Sequence, residues 1–214
     1  MNIATLSDAK RPGRPKSSEK ADAIREAAAC LFMTEGMGRT SMDAIAQAAG
    51  VSKQTVYSHF KSKDDLFRAC IVSKVQMYGL DESQFDATVP LDEGLRRVGI
   101  QFLTLLSDPE VVQMFRLMIA EATTFPRVAQ TFHETGPRAT TDYVTKIFAH
   151  YLQCDRDAPI AGQATREFLS LVKGDFLIER LLGTRAPISE SQVEAHVDRC
   201  INIIKAVYKL DDSA

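Results

Sequence analysis

The chain has 214 residues, 45% of them hydrophobic and 25% charged, which suits one large or two small packed domains rather than a disordered chain. Its apolar runs are too short to span a bilayer, its first residues lack the apolar stretch of a signal peptide, and its four cysteines are widely scattered. These features argue against a membrane protein, a disulfide framework and a zinc site. They predict a cytoplasmic protein without metal or cofactor.

The net charge of −2 is unevenly distributed along the chain. Residues 1–70 carry 11 Lys and Arg against 8 Asp and Glu, a net charge of +3, whereas residues 71–214 carry 15 against 20, a net charge of −5. A basic first third followed by an acidic remainder is typical of a chain that places one end on nucleic-acid phosphates.

Residues 1–17 are predicted to form a basic tail with two prolines. Its Gly-Arg-Pro core, which contains Arg14 and follows Arg11, resembles that of AT-hook peptides. An arginine held extended between prolines can enter a narrow, A·T-rich minor groove. The alternative is a flexible tail that attracts phosphates without specificity.

The rest of the chain has nearly continuous helical periodicity and no hairpin signals, so we expect an all-α fold. The first helix is predicted over about 18–35, and Gly36 ends it. Five later helices are predicted, over about 91–106, from 109, through 143–151, over 160–182 and over 189–209. Together with the first helix and with the second, third and fourth helices, which are described next, this makes nine predicted helices. Gly174 falls inside the 160–182 helix, where a close helix crossing would explain it.

Three short segments between residues 40 and 66 have strong local signals. Thr40 with Asp43 forms a capping-box pattern that opens a second helix, and Ser62 with Asp65 does the same for a fourth. Between them, Gly50 supplies a residue that tolerates positive φ, and Ser52 can cap a third helix. Two short helices joined by a tight glycine turn are the plan of a helix-turn-helix.

The outward face of the third helix has the chemistry of a DNA surface. Lys53 can reach guanine, Gln54 can pair with adenine, and Thr55 can contact a thymine methyl or a phosphate. Tyr57 and His59 are better placed for phosphate oxygens. The full predicted DNA-binding set is Arg11, Arg14, Thr40, Ser41, Ser52, Lys53, Gln54, Thr55, Tyr57, His59 and Lys63. An ordinary helical hairpin with a solvated polar face is the competing interpretation of the bare pattern.

The run from Thr40 to Leu66 resembles the signature of the TetR/AcrR family of repressors. The similar features are a T-x-x-x-I-A-x-x-A-G-V-S core followed by Y-x-x-F-x-x-K-x-x-L. The stretch 115–136, together with Lys173-Gly174-Asp175, resembles more weakly the AefR-like regulatory body. The resemblance implies a three-helix DNA-binding head (18–62) and a six-helix body for ligand binding and dimerisation (63–214).

The resemblance also implies a homodimer, formed through the last two helices, that reads a palindromic operator in double-stranded DNA. The apolar stripe expected at this seam is Phe168, Leu171, Val172, Phe176, Val193, Val197, Ile201 and Ile204, and intramolecular core is its alternative role.

A small-molecule pocket is implied within the body, with no membrane contact. Its expected lining is Phe102, Met114, Phe115, Met118, Phe132, His133, Tyr143 and Phe176, and Arg116, Lys173 and Asp175 are further polar candidates.

These features together predict a repressor that a ligand releases from DNA. An enzyme is disfavoured because the chain lacks a nucleophile elbow, a phosphate-binding glycine loop and an HExxH motif. A transcriptional activator and a ligand-independent architectural DNA-binding protein remain alternatives. An internal cavity would favour the ligand-controlled regulator over the architectural protein.

Overall fold

The computed structural model describes residues 16–184 and 189–210, with side chains from residue 18 onward. In these ranges the fold is all-α, as predicted, with one short 3-10 turn at Glu82–Gln84. Its α-helices are α1 Lys16–Glu35, α2 Met42–Ala48, α3 Lys53–His59, α4 Lys63–Met77, α5 Leu91–Ser107, α6 Pro109–Glu121, α7 Pro126–Thr135, α8 Pro137–Tyr151, α9 Pro159–Lys173, α10 Phe176–Leu182 and α11 Glu190–Tyr208. Within the described ranges, no helix is both long and apolar enough to cross a membrane.

The described residues contain eleven α-helices, two more than predicted. Residues 126–135 form a helix of their own, because Pro126 and Pro137 each begin a helix. The predicted 160–182 helix is divided into α9 and α10. Gly174 ends α9 with φ of +44°, so the expectation that it lies inside a helix at a close crossing is wrong.

The head consists of α1, α2 and α3, packed around a small apolar core. Met42, Ile45 and Ala46 of α2 and Val56 of α3 are buried, as expected from their spacing. Ser41, and not Thr40, caps α2, since its side chain accepts a hydrogen bond from the Ala44 amide at 3.1 Å.

The turn between α2 and α3 depends on Gly50, which has φ of +64°. The Val51 amide donates to the Ala46 carbonyl at 3.0 Å and so closes the turn. We expect Gly50→Ala to lower the free energy of unfolding by about 1–2 kcal/mol, since a side chain is strained in this conformation even where space is open.

Urea denaturation would measure the decrease in the free energy of unfolding that Gly50→Ala causes. Gly94→Ala in α5 is the matched control, because its new Cβ would meet nothing closer than Val89 Cγ1 at 3.9 Å. It should stabilise the chain by about 0.5–1 kcal/mol. A loss at Gly94 as large as that at Gly50 would contradict the proposed cause.

The body consists of α4 to α11, and α4 joins it to the head. Phe67 of α4 packs edge-on against Phe32 of α1, with ring centroids 5.6 Å apart. Helices α8, α9, α5 and α11 enclose the main core, in which Phe148 and Phe168 meet at 5.9 Å.

The residues predicted for the dimer seam lie mostly inside the protomer. Six of the eight are buried in this core, which supports the intramolecular alternative for them: Phe168, Val172, Phe176, Val197, Ile201 and Ile204. The prediction missed the exposed apolar side chains of α10 and α11, which are Ile178, Leu182, Ile203 and Val207. Amphipathic spacing identifies the most apolar face of a helix. In the last helices this face packs against the core of the same protomer, and the exposed apolar residues lie on a different face.

Candidate functional site

Helix α3 presents its polar face to solvent because its apolar side is anchored in the head. Val56 is fully buried and Phe60 is 9% exposed. The Ser52 hydroxyl accepts a hydrogen bond from the Thr55 amide at 3.1 Å and caps the helix. The exposed side chains of this face are Lys53, Gln54, Tyr57 and Ser58, whereas Thr55 and His59 are half-buried.

Three of the predicted DNA-binding hydroxyls already have partners within the head. The Ser52 and Thr55 hydroxyls lie 2.8 Å apart and bond to each other. The exposed Ser41 caps α2, because its hydroxyl accepts a hydrogen bond from the Ala44 amide. These side chains therefore organise the ends of the two helices, and their contact with DNA stays a prediction.

Lys53 forms an ion pair across the helix-turn-helix with Asp43 of α2. Its ammonium lies 2.8 Å from Asp43 Oδ1, and the hydrogen bond to Asp43 raises the pKa of Lys53. Both side chains are well exposed. The carboxylate thus competes with DNA for the ammonium group that is predicted to reach guanine.

Asp43→Asn is expected to tighten DNA binding by about two- to fivefold, since it frees Lys53 from an exposed ion pair of modest strength. Fluorescence anisotropy on a labelled duplex at 0.15 M salt would measure the change. Glu26→Gln alters the charge of the head equally at an exposed site on α1. An equal gain in that variant would assign the effect to net charge and contradict the role of the pair.

The structure corrects two predicted DNA contacts. Thr40 is 2% exposed, and its hydroxyl donates to the Gly36 carbonyl at 2.9 Å, so its side chain faces the core of the head. The Lys63 ammonium binds the carbonyls of Met37 and Thr40, which ties α4 to the α1–α2 turn instead of leaving the charge for a phosphate. Arg11 and Arg14 lie outside the described residues.

A cavity of about 490 Å³ lies in the body and reaches the head. Most of its wall is apolar, and helices α4 to α10 contribute to it. Phe115 and Phe132 meet edge-on in this wall with ring centroids 5.0 Å apart. Both the volume and the lining fit a small-molecule site.

Five of the eight predicted ligand residues line this cavity: Phe102, Met114, Phe115, Phe132 and His133. The other three do not. Met118 and Tyr143 are buried in the core, and Phe176 borders a second cavity of about 390 Å³ between α5, the end of α9, α10 and α11.

Among the polar candidates, Lys173 lines both cavities and Asp175 lines only the second one. Arg116 lines neither cavity and donates to the carbonyls of Leu181 and Arg180 at 2.8 and 3.0 Å.

Lys74 is a lining residue that the sequence prediction missed. Its ammonium lies 2.7 Å from Asp108 and 2.8 Å from Glu110, and the Tyr78 hydroxyl also donates to Asp108 at 2.7 Å. Burial alone would raise the pKa of Asp108, but the hydrogen bonds from Lys74 and Tyr78 outweigh it and hold the pKa below its usual value. The sequence did contain a signal for this role: Lys74 follows Ile71 by three residues and therefore lies on the apolar stripe of α4.

The cavity also touches the head directly, which the sequence did not indicate. Ala29 and Met33 of α1 form part of its wall. Nearby, the Phe125 ring packs on Gly38, where an added Cβ would lie only 2.9 Å from the ring. A molecule in the cavity would therefore contact α1 as well as the body.

Family models match most of the described chain. Residues 24–70 match the bacterial regulatory proteins of the tetR family, and residues 93–210 match the C-terminal domain of AefR-like transcriptional repressors. The second match alone spans more than half of the chain.

Curated relatives share shorter segments. The chain is 34% identical over 82 residues to the HTH-type transcriptional regulator AcrR of Shigella flexneri, covering 38% of each chain. It is 26% identical over 104 residues to SrpR of Pseudomonas putida, covering 49% of this chain and 47% of SrpR. The chain thus spans less than half the length of these two relatives.

Solved structures match over nearly the whole chain. The flavonoid-responsive regulator FrrA superposes with a TM-score of 0.69 and 31% identity, covering 89% of this chain and 97% of FrrA. A TetR-family regulator from Mesorhizobium loti MAFF303099 superposes with a TM-score of 0.69 and 25% identity, covering 91% and 98% of the two chains.

Proposed function

Since the chain belongs to the TetR family of bacterial transcriptional regulators, with an AefR-like C-terminal domain, we propose that it is a repressor released from a palindromic operator by a small molecule. The observation that carries this proposal is that the head links the recognition helix to the cavity. An exposed recognition helix stands on a head whose first helix forms part of the wall of a cavity of about 490 Å³. The cavity also argues against a purely architectural DNA-binding protein.

The proposed reading of DNA rests on the exposed face of α3. Lys53 and Gln54 lie at the N-terminal end of the helix, where recognition helices contact base edges. Tyr57, 46% exposed, follows one turn later and is assigned to phosphate oxygens. The tail arginines, Arg11 and Arg14, are proposed to enter the adjacent minor groove.

The proposed homodimer uses the exposed apolar side chains of the last two helices. Ile178 and Leu182 on α10 are 52% and 69% exposed, and Ile203 and Val207 on α11 are 47% and 60% exposed. Covering such side chains would stabilise a dimer by removing apolar area from water. A dimer would place two heads side by side for the two halves of an operator.

Release is proposed to work by a shift of population between two head separations. A ligand in the cavity contacts α1 through Ala29 and Met33, and contacts α4 through Ile71 and Val75. It would favour one placement of the heads, and a coupling free energy of about 1–3 kcal/mol is typical of such systems. The proposed site of action is the cytoplasm, and activation in place of repression would depend on where the operator lies.

The test uses the exposed Cys30 of α1 as the site of a spin label, one on each protomer of the dimer. Cys154→Ser removes a second accessible thiol, whereas burial raises the pKa of the Cys70 thiol to about 12 and protects it. Flavonoids are the first compounds to try, because FrrA is described as flavonoid-responsive.

We expect a compound that lowers operator affinity to change the Cys30–Cys30 distance distribution as well. A compound that binds the cavity and leaves both the distances and the operator affinity unchanged would contradict ligand-controlled release.

A further inference from the structure

The charged side chains that line the main cavity include more cations than carboxylates. Among the described lining residues, the cations are Lys74, Arg166 and Lys173, and Glu110 is the carboxylate. Lys74 is already neutralised, since its ammonium lies within 2.8 Å of both Glu110 and Asp108. The lining cations that have no carboxylate partner are therefore the two on α9, Arg166 and Lys173.

Arg166 and Lys173 lie seven residues apart on α9, which places them two turns apart on one face of the helix. Ser170 lies between them and lines the cavity too. Within the part of the chain that the structure describes, neither cation has a hydrogen bond or an ion pair. The neighbouring Glu167 carboxylate accepts hydrogen bonds from Gln163 at 2.9 Å and Tyr208 at 2.8 Å. These bonds, together with the nearby charge of Arg166, lower the pKa of Glu167.

Other parts of the wall are apolar and aromatic. Phe102, Met114, Phe115 and Phe132 come from α5, α6 and α7, whereas the two cations come from α9. The cavity is thus apolar on several helices and cationic on one. Arg166 is exposed and Lys173 is half-buried, so water reaches both cations. A cationic ligand would meet like charge, whereas an anionic group would be attracted to both residues.

We infer that the effector is an apolar molecule with one anionic group, and that Arg166, Ser170 and Lys173 form the subsite for that group. This inference rests on the proposed ligand-controlled function and specifies its ligand. The apolar body occupies the aromatic part of the cavity and supplies affinity, while the anion sets the orientation. Arginine and lysine side chains bind oxyanions through charge-assisted hydrogen bonds, and a serine hydroxyl adds a neutral donor.

Two fluorescent probes with one apolar body test this inference on the full-length protein. Anilinonaphthalene sulfonate carries an anion, and N-phenylnaphthylamine is the same ring system without it. The double variant Arg166→Gln/Lys173→Gln should weaken binding of the sulfonate about tenfold at 0.15 M salt and change binding of the neutral probe less than twofold. Unchanged affinity for the neutral probe also reports that the cavity remains folded.

Lys20→Gln/Arg127→Gln is the matched control, because it removes the same net charge at two exposed residues that do not line the cavity. It should leave both affinities unchanged. An equal loss in control and test variants, an equal loss for both probes, or no loss for the sulfonate would overturn the anion subsite. If the neutral probe binds but the double variant keeps its affinity for the sulfonate, only the subsite is overturned. If neither probe binds the unaltered protein, the small-molecule cavity is contradicted as well.

Discussion

Gln54→Ala is expected to weaken operator binding by about 2–6 kcal/mol in the proposed dimer. Gln54 is exposed near the start of α3 and makes no hydrogen bond within the described residues, so its amide is available for a bidentate contact with adenine. Each such contact contributes about 1–3 kcal/mol, and a symmetric dimer makes it twice. The loss should be concentrated at one base pair in each half-site.

The measurement begins with selection of preferred duplexes from a random library by the unaltered protein. Affinities of the variant are then measured for the selected site and for its single-base changes at constant salt, since phosphate contacts make binding strongly salt-dependent. Gln76→Ala on the exposed face of α4 is the matched control. An affinity within twofold of the unaltered protein, with the same base preferences, would show that Gln54 does not read the operator.

Phe67→Ala should lower the free energy of unfolding by about 3–5 kcal/mol. Phe67 is 1% exposed and meets Phe32 of α1 edge-on, so the substitution leaves a cavity between the head and α4. The loss is a large fraction of the about 5–15 kcal/mol that stabilises an ordinary domain. It should also loosen the connection through which the body positions α3.

Urea denaturation at a fixed protein concentration, followed by circular dichroism, would measure this loss, because the proposed dimerisation would make the apparent stability depend on concentration. Val72→Ala on the same helix is the control, since Val72 is 40% exposed. It should change the free energy of unfolding by less than about 0.5 kcal/mol. A loss below about 1 kcal/mol at Phe67 would mean that the head does not depend on this aromatic pair.

The contrast between Lys53 and Lys63 separates what can be predicted locally from what cannot. Both are basic residues at the start of a helix, Lys53 of α3 and Lys63 of α4, and both were predicted to contact DNA. Lys53 is exposed and paired only with Asp43, so the prediction for it stands. Lys63 instead binds carbonyls of the α1–α2 turn, about 25 residues earlier in the chain, and only the packing of α4 against α1 brings these groups together.

The residues predicted to line the cavity also show what local patterns can and cannot predict. Aromatic residues of the body were recognisable as candidates, but Phe115 lines the cavity while Tyr143 is buried in the core. Both residues lie on apolar stripes at helical spacing. The difference is the rotation of each helix relative to neighbours that are distant in sequence.

The all-α class, the helix-turn-helix and the resemblance to the TetR family can all be derived from the amino-acid sequence alone. These depend on local signals, such as the positive φ of Gly50 and the cap at Ser52, which act over three or four residues. Tertiary packing was needed to bury Thr40, to separate two helices at Gly174, and to place Arg166 and Lys173 of α9 in the wall of the main cavity. The physical reason is that burial and charge pairing depend on how helices pack across long sequence separations, which local periodicity does not encode.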